Sequence, residues 1–371
     1  MSYLTKIGLL ASGHVGDLES LLFQSRLPFE TFAIEDQGRR PIQGALQRAK
    51  ILHPFYWQVR ALREWINERK VTHLLSLDNN PIISHLQGLD RLPVFVVQHG
   101  MRQLRDPIAS PPPIAENLTF LSWGSIAMSE CDANRLAHWP NSLYRVKPSV
   151  VTAVGSLRDS LAEQSFRTRT ACDSLVSSPA QNQVCLISQF KGESPKELLY
   201  WEDRQNGLAL LTSWVGRYVR SRGLPLVVAG YADTPETMAS ESRWFKQHLN
   251  CEFELRSPRT LTSTYEMTQG SRVSVGMHSS SLWEAFGRGC RILSVNPTNQ
   301  TSFDFPVSGR WSTERSTYEE FSEKMDAAMH TSDDIYESDA KQTRRQVCVW
   351  SPDESVGSRI ISEILAKGDV G

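Results

Sequence analysis

The stretch RVSVGMHSSSLWEAFGRGCRILSVNP, residues 272–297, decides the fold class because it contains a strand, a helix and a second strand in succession. Its first apolar run ends at Gly276, a serine-rich turn follows, and a new apolar run begins after Cys290. A helix between two apolar strands indicates a parallel sheet that is covered on both faces. The stretch therefore predicts an α/β fold in which polar residues follow the strand ends.

The same alternation extends along most of the chain. An opening strand and helix are predicted in KIGLLASGHVGDLESLL (6–22), and further apolar runs lie in VTHLLSLDNN (71–80), PVFVVQHG (93–100), LTFLSWG (118–124), YRVKPSVVTAVGS (144–156), VCLISQF (184–190) and LPLVVAGY (224–231). The chain has 371 residues, more than one core usually serves. We therefore expect two facing Rossmann-like domains with a cleft between them.

Domain limits follow from a change in composition. The polar stretch QSFRTRTACDSLVSSPAQNQ (164–183) predicts a hinge or linker. This places an N-terminal domain at residues 1–165 and a C-terminal domain at 183–350. Residues 351–371 are predicted to form an amphipathic helix. One possible arrangement is that this helix crosses back to the N-terminal domain.

Composition excludes several classes of protein. Forty basic and 41 acidic residues give a net charge of −1, so nucleic acid is not an expected partner and any anion site must be local. The six cysteines form no CxxC pair, so neither a zinc site nor a disulfide framework is predicted. No apolar run approaches the roughly 20 residues of a membrane span, and we expect a cytoplasmic protein.

The strongest candidate site is the serine turn of the opening stretch. Ser279, Ser280 and Ser281 begin a helix whose unpaired N–H groups, dipole and hydroxyls together suit a phosphate or diphosphate without nearby basic charge. His278 has two interpretations, a local hydrogen bond or a positive phosphate ligand. Glu284 also has two, a capping box with Ser281 or a ligand of ribose hydroxyls.

Two neighbouring strand ends supply candidates in the first half. One is QHGMR, with Gln98, His99, Gly100 and Arg102, where the alternative is an ordinary turn. The other is DNN, with Asp78, Asn79 and Asn80. Adjacent parallel strands would bring Asp78 and His99 to one edge of a sheet. There a carboxylate could orient or activate an acceptor hydroxyl, or act as a nucleophile in a retaining reaction.

Further strand ends give weaker candidates. Ser188, Gln189 and Gly230 are assigned to the donor side, and Gly13, His14 and Gly155 to the acceptor side or the cleft. The loop SGHVGD lacks the GxGxxG spacing of a dinucleotide fingerprint, which disfavours NAD. P-loop, HExxH and GxSxG motifs and metal-spaced histidines are also missing from the sequence, so group transfer is favoured and no metal site is predicted.

The motifs DNN, QHGMR, WGS, VGS, ISQF and HSSSLWEA, in that order, resemble bacterial surface-carbohydrate biosynthesis proteins. These are GT-B-like glycosyltransferases with relatives among the CDP-glycerol glycerophosphotransferases, and the resemblance spans about residues 77–297. It implies that residues 1–165 are an acceptor domain and residues 183–350 a donor domain. The co-substrate would be a CMP-, CDP-, UDP- or GDP-linked sugar, held by Ser279–Ser281 with Glu284, with no other cofactor or bound metal. Asp78 or His99 would then serve the acceptor or the reacting centre.

The expected function is transfer of a sugar to a surface-polysaccharide or glycolipid acceptor. Polyol-phosphate transfer is a lesser alternative, because the basic N-terminal region typical of the glycerophosphotransferases is missing here. The sequence is also compatible with a sugar-nucleotide epimerase and with a non-catalytic sugar-nucleotide-binding scaffold. The aromatic stretch HPFYWQVRALREWI (53–66) predicts core packing, with peripheral association at the inner face of the plasma membrane as its alternative.

Overall fold

The computed structural model describes residues 5–11, 15–33, 56–78, 92–100, 114–126, 147–172, 180–192, 201–260, 262–351 and 353–367. The chain divides into two compact units. The first comprises Met1–Leu157 together with Ser351–Gly371, and the second comprises Arg158–Trp350. Each unit contains one parallel sheet with helices, which is the predicted α/β class.

The first unit has a six-stranded parallel sheet in the order β2-β1-β3-β4-β5-β6. Its strands are β1 (Ile7–Ala11), β2 (Phe29–Ala33), β3 (His73–Leu77), β4 (Val94–Val97), β5 (Ile114–Ser122) and β6 (Lys147–Ala153). Its described helices are α1 (Gly16–Gln24), α2 (Tyr56–Arg69) and α10 (Val356–Ala366). Every residue of β3 and β4 is buried, which explains their uninterrupted apolar runs.

The second unit has another six-stranded parallel sheet, in the order β12-β11-β10-β7-β8-β9. Its strands are β7 (Ala180–Ile187), β8 (Leu226–Ala229), β9 (Glu254–Arg256), β10 (Ser271–Gly276), β11 (Ile292–Asn296) and β12 (Ser312–Glu314). Its helices are α3 (Leu157–Cys172, from Arg158 onward), α4 (Trp201–Arg222), α5 (Pro235–Leu249), α6 (Ser263–Gln269), α7 (Ser280–Gly287), α8 (Tyr318–His330) and α9 (Asp333–Val347).

Both cores lie between a sheet and its helices. In the first unit, Leu62 and Ile66 of α2 pack against strand residues such as Leu74 and Val96. Core packing is therefore confirmed for this part of the aromatic stretch. Each fully buried side chain of this kind contributes about 1.5–3 kcal/mol. Within the part of the chain that the structure describes, the helices lack the combination of length and apolar character that a membrane crossing requires.

The predicted linker at residues 164–183 is wrong in its secondary structure. The structure has helix α3 as far as Cys172 and strand β7 from Ala180, and the second unit already begins at Arg158. Helix α3 has a weak sequence signal because it buries polar residues, Asp159 and Ser160, instead of a regular apolar stripe. Helix α10 belongs to the first unit, where Arg359 Nη1 donates to the Val154 carbonyl at 3.0 Å.

The register of each sheet aligns the carboxyl ends of its central strands. In the first unit Leu77 of β3 pairs with Val97 of β4, and Val97 pairs with Leu121 of β5. In the second unit Ile187 pairs with Ala229, and Ala229 pairs with Arg256. The polar residues that follow these strands therefore meet along one edge of each sheet, where α/β proteins bind ligands.

Candidate functional site

Helix α7 begins at the carboxyl edge of the second sheet, directly after β10. Ser279 is its N-cap residue, with extended backbone angles of φ −119° and ψ 127°, and its hydroxyl makes no capping bond to the helix. Ser279 and Ser281 are buried, and Ser280 is partly exposed. Because the first N–H groups of a helix have no intrahelical acceptor, this turn presents amides and hydroxyls to an anion.

His278 precedes the turn in the left-handed region, with φ of 50°. Its carbonyl accepts a 2.6 Å hydrogen bond from Gln189 Nε2, which joins the loops after β7 and β10. Burial, followed by the positive charges of Arg204 and Lys191, lowers the pKa of His278 to about 3. The imidazole is therefore neutral near pH 7 in this structure, which favours the local hydrogen-bonding interpretation. The role of His278 as a phosphate ligand stays a prediction.

Basic side chains from three separate segments surround this edge. Arg204 of α4 is buried and donates to the Gln189 carbonyl at 3.4 Å and to Gln189 Oε1 at 3.3 Å. Lys191 Nζ and Arg259 Cζ lie 5.8 and 5.2 Å from the centre of the Tyr231 ring. Partial desolvation, then repulsion from Arg204 and Arg259, lowers the pKa of Lys191. We call Lys191, Arg204 and Arg259 the cation cluster.

The cation cluster corrects the expectation of an anion site without basic charge. The three residues have no joint sequence motif, because they lie far apart in the chain and form no basic run. A weak signal is nevertheless present for Lys191, since it follows Gln189 closely. This edge thus combines a helix N-terminus with three cations, which is an arrangement suited to an anion.

A buried carboxylate organises two loops of the same edge. Glu241 of α5 has no exposed surface. Its Oε1 accepts from the Ser188 hydroxyl and, at 2.8 Å, from the Tyr231 N–H, while its Oε2 accepts from the Ala232 N–H at 3.2 Å. Ser188, a predicted donor ligand, is buried and gives its hydroxyl to Glu241.

Glu241 itself is not among the residues predicted from the sequence. Its signal is its spacing, because Glu241, Phe245 and Leu249 form the buried face of α5 at four-residue intervals. Gly230, another predicted donor residue, is explained by close packing. A Cβ there would lie 2.8 Å from the Arg256 carbonyl and 3.1 Å from Glu241 Oε2.

Glu284 lies inside α7 and cannot form the predicted capping box with Ser281. The N-cap is Ser279, so Glu284 is beyond the first turn. It is buried, and its Oε2 accepts a 3.1 Å hydrogen bond from the Tyr265 hydroxyl. The ribose-ligand interpretation stays a prediction.

A buried ion pair closes the other end of α7. Arg288, the C-cap residue, donates through Nε to the Asp159 carboxylate and through Nη2 to the Asp159 carbonyl at 3.1 Å. Burial raises the pKa of Asp159, and the charges of Glu284 and Glu163 add to this effect, whereas Arg288 opposes it. Helix α7 is thereby fastened to α3 within the second unit.

The edge of the first sheet carries the predicted catalytic residues. Asp78 follows β3 and His99 follows β4, and the pairing of Leu77 with Val97 places both residues at the same strand ends. Asp78 is buried and its N–H donates to the Val97 carbonyl at 3.0 Å, while His99 is half-buried. Their catalytic roles stay predictions.

Three more predicted residues of this edge have an identifiable structural environment. Gln98 is buried, and its amide donates to the Gly100 carbonyl at 2.9 Å and accepts from the Trp123 N–H at 2.8 Å. Gly155 follows β6 with φ of 98°, a conformation that favours glycine, and a Cβ on Gly100 would meet nothing within 4 Å. The remaining predicted residues lie outside the described residues: Gly13, His14, Asn79, Asn80 and Arg102.

Comparison with protein families identifies the wider group. The sequence profile of a family described as "putative O-antigen biosynthesis protein" matches residues 161–355, just over half of the chain. The chain belongs to this O-antigen biosynthesis family. The matched segment covers almost all of the second unit, including the serine turn, the cation cluster and Glu241. No curated protein matches the chain significantly.

Solved structures share the fold at low sequence identity. A UDP-GlcNAc 2-epimerase from Neisseria meningitidis bound to UDP-GlcNAc is 13% identical, with a TM-score of 0.53 over 98% of this chain and 100% of that chain. MnaA of S. aureus with UDP is 12% identical, with a TM-score of 0.57 over 98% and 96%. A ugt transferase from Siraitia grosvenorii with UDP is 11% identical, with a TM-score of 0.52 over 97% and 100%. The GT-B-like α/β fold predicted for this O-antigen family protein is confirmed.

Proposed function

We propose that this O-antigen family protein is a glycosyltransferase that moves a sugar from a nucleotide-activated donor to a surface-polysaccharide or glycolipid acceptor. One observation carries the proposal: the start of α7 and the cation cluster converge at the carboxyl edge of the second sheet. Donor binding is assigned to the second unit on this ground. Similar solved structures hold UDP or UDP-GlcNAc, which supports a sugar nucleotide as the ligand class.

The arrangement suits the charge that develops during transfer. When the bond between sugar and phosphate breaks, negative charge grows on the leaving phosphate oxygen, and preorganised donors stabilise it. The amides and hydroxyls at Ser279–Ser281 are such donors, and the cation cluster adds three positive side chains. We propose that these side chains supply the neutralisation that a divalent metal supplies in metal-dependent enzymes.

The acceptor chemistry is assigned to the edge of the first sheet. His99 is half-buried, whereas Asp78 is buried at the end of the neighbouring strand. We propose that His99 removes the proton from the acceptor hydroxyl and that Asp78 orients this hydroxyl. Asp78 as the nucleophile of a retaining reaction is the alternative, and Asp78→Asn separates the two because loss of a nucleophile abolishes a glycosyl-enzyme intermediate.

A cytoplasmic location is part of the proposal. Cys185, Cys251 and Cys290 are free thiols. Burial raises the pKa of Cys185 to about 12 and of Cys290 to about 11, so both are protonated and unreactive. Such thiols fit a reducing compartment.

Nucleotide binding tests the donor site. Isothermal titration of CMP, CDP, UDP and GDP against wild type should identify at least one ligand, and Ser280→Ala should bind it more weakly. Ser213→Ala, at an exposed position of α4, is the matched control and should leave affinity unchanged. Failure of every nucleotide to bind the wild-type protein would contradict the proposal.

Sugar-nucleotide epimerisation is the second candidate, favoured by the full-length likeness to UDP-GlcNAc 2-epimerases. The two functions share a donor site and differ in whether an acceptor takes the sugar. Incubation with UDP-GlcNAc alone, followed by proton NMR of the anomeric region, distinguishes them. A new epimer of the intact sugar nucleotide supports the epimerase, whereas product that appears only with an acceptor supports the transferase.

A further inference from the structure

We propose that Glu241 is a positioning residue that gives the donor site its preference for nucleoside diphosphates over monophosphates. The inference rests on the proposed function, because it concerns the same site. Helix α5 buries Phe245 and Leu249 against the core, as expected, but its third buried residue is a carboxylate with no exposed surface.

A buried carboxylate costs free energy unless its hydrogen bonds compensate for lost water. All the contacts of Glu241 described above go to residues that follow strands β7 and β8, namely Ser188, Tyr231 and Ala232. An apolar side chain could fill the same space, but it would leave the N–H groups of Tyr231 and Ala232 without this acceptor. The carboxylate therefore fixes the two loops against each other.

The position of Tyr231 determines where two of the cations lie. Glu241 holds the backbone N–H of Tyr231, and the ring of Tyr231 is the surface against which Lys191 and Arg259 rest. The next residue adds a second link, because the Ala232 carbonyl accepts a 3.0 Å hydrogen bond from the Arg259 N–H. Glu241 thus acts on the cations through the loop after β8.

A second chain of contacts reaches the serine turn. Ser188 donates to Glu241, and its neighbour Gln189 donates to the His278 carbonyl at 2.6 Å. Glu241 therefore sets the cation pair at Tyr231 relative to the start of α7. A diphosphate can satisfy both groups of donors with its two phosphates, whereas a monophosphate satisfies one.

The positive charges around the site favour the binding of a polyanion. Burial is the largest cause of the lowered pKa of Lys191 and of His278, and the charged groups that add to it are all positive, namely Arg204, Arg259 and Lys191 itself. Holding like charges together is unfavourable until an anion binds between them, so each added phosphate charge relieves more repulsion. The gain depends on keeping these side chains at their positions, which is the role assigned to Glu241.

The test compares diphosphate with monophosphate in matched variants. Glu241→Gln has nearly the same shape but only one oxygen, so either Tyr231 N–H or Ala232 N–H must face an NH₂ group. Glu236→Gln removes the same charge from an exposed position of α5 and is the control. Affinities for UDP and UMP, CDP and CMP, and GDP and GMP are measured by titration below the melting temperature of every variant.

We expect Glu241→Gln to reduce the diphosphate-to-monophosphate affinity ratio of the best-binding pair by about tenfold, since a lost buried acceptor displaces the loop. Glu236→Gln should keep the wild-type ratio. A merely structural role would lower the melting temperature and leave the ratio of the folded protein unchanged, and that result would overturn the proposal.

Tyr231→Leu provides a second route if Glu241→Gln does not fold. It removes the exposed ring on which the cations rest and keeps the backbone N–H that Glu241 binds. The ratio should fall in this variant as well, without a lower melting temperature. An unchanged ratio overturns the positioning role while nucleotide binding by the wild type stands. If the wild type binds no nucleotide at all, the proposed function itself has failed.

Discussion

Removing one charge of the cation cluster should weaken donor binding by a calculable amount. The perturbation is Arg259→Gln, which keeps a polar side chain beside Tyr231. For a phosphate about 6 Å from the guanidinium, Coulomb's law gives about 0.7 kcal/mol in water and about 2.8 kcal/mol at an effective dielectric constant of about 20. Because the site is partly exposed, we expect about 1.4 kcal/mol, about a tenfold loss of affinity.

The assay is titration of the best-binding nucleoside diphosphate at several salt concentrations. Salt screens exposed charges, so the loss caused by Arg259→Gln should shrink as ionic strength rises. Arg243→Gln, which removes an exposed charge on α5, is the control and should bind like wild type. The variant Arg259→Gln should also have a higher Lys191 pKa than the wild type, because the charge of Arg259 is one of the causes that lower this pKa.

Wild-type affinity in Arg259→Gln at low salt would refute the electrostatic reasoning. A tenfold loss that stays constant with salt would also count against it, because it would indicate a change in local structure. Lys191→Gln offers an independent measurement, since Lys191 lies on the loop after β7 and against the same ring.

Three further predictions concern protonation and packing. Arg288→Met should lower the free energy of unfolding by about 3–5 kcal/mol, because it removes the positive charge that faces the buried Asp159 carboxylate. The loss in urea titrations should be larger at pH 8 than at pH 5, since protonation neutralises Asp159 at lower pH, and equal losses would contradict this. The lowered pKa of His278 predicts a neutral ring from pH 8 to pH 5 in ¹⁵N NMR, with His278→Gln for assignment, whereas titration near 6.5 would show the assignment of its environment to be wrong. The stability that this neutral ring contributes is present above pH 6.5 and is lost as pH falls toward 3. Gly230→Ala should lower the melting temperature, because its Cβ would lie 2.8 Å from the Arg256 carbonyl, and an unchanged value would show that β9 can move.

The sequence predicts the central strands well and most edge strands poorly. Strands such as β3 and β4 are buried on both faces, so their apolar runs are unbroken. Strands β2, β9 and β12 lie at sheet edges and are not predicted from the sequence. An edge strand such as β9 is only three residues long and partly exposed, so it has no apolar run to find.

The candidate site divides along a similar line. Asp78, His99 and the serines at 279–281 are recognisable because each follows an apolar strand closely, and strand ends share an edge in a parallel sheet. Glu241 and Arg204 are harder to recognise because they come from helices, where a charged residue usually faces water. The spacing of Glu241 indicates that it is buried, but its partners are loops distant in sequence, which no local pattern identifies.

The difference between recognisable strand-end residues and unrecognised helix residues has a physical origin that bears on the proposed function. A parallel sheet fixes which loops meet, so the backbone amides of a ligand site can be inferred from the strand order. The long basic side chains reach that edge from neighbouring helices and loops, and their direction is set by buried or aromatic partners such as Glu241 and Tyr231. Among proteins with this fold, the amide part of the site should therefore be common, while the charged part differs with the ligand. Under the proposed function, the preference for nucleotides of a given charge would then depend mainly on residues such as Lys191 and Arg259, outside the strand-end motifs that reveal the fold.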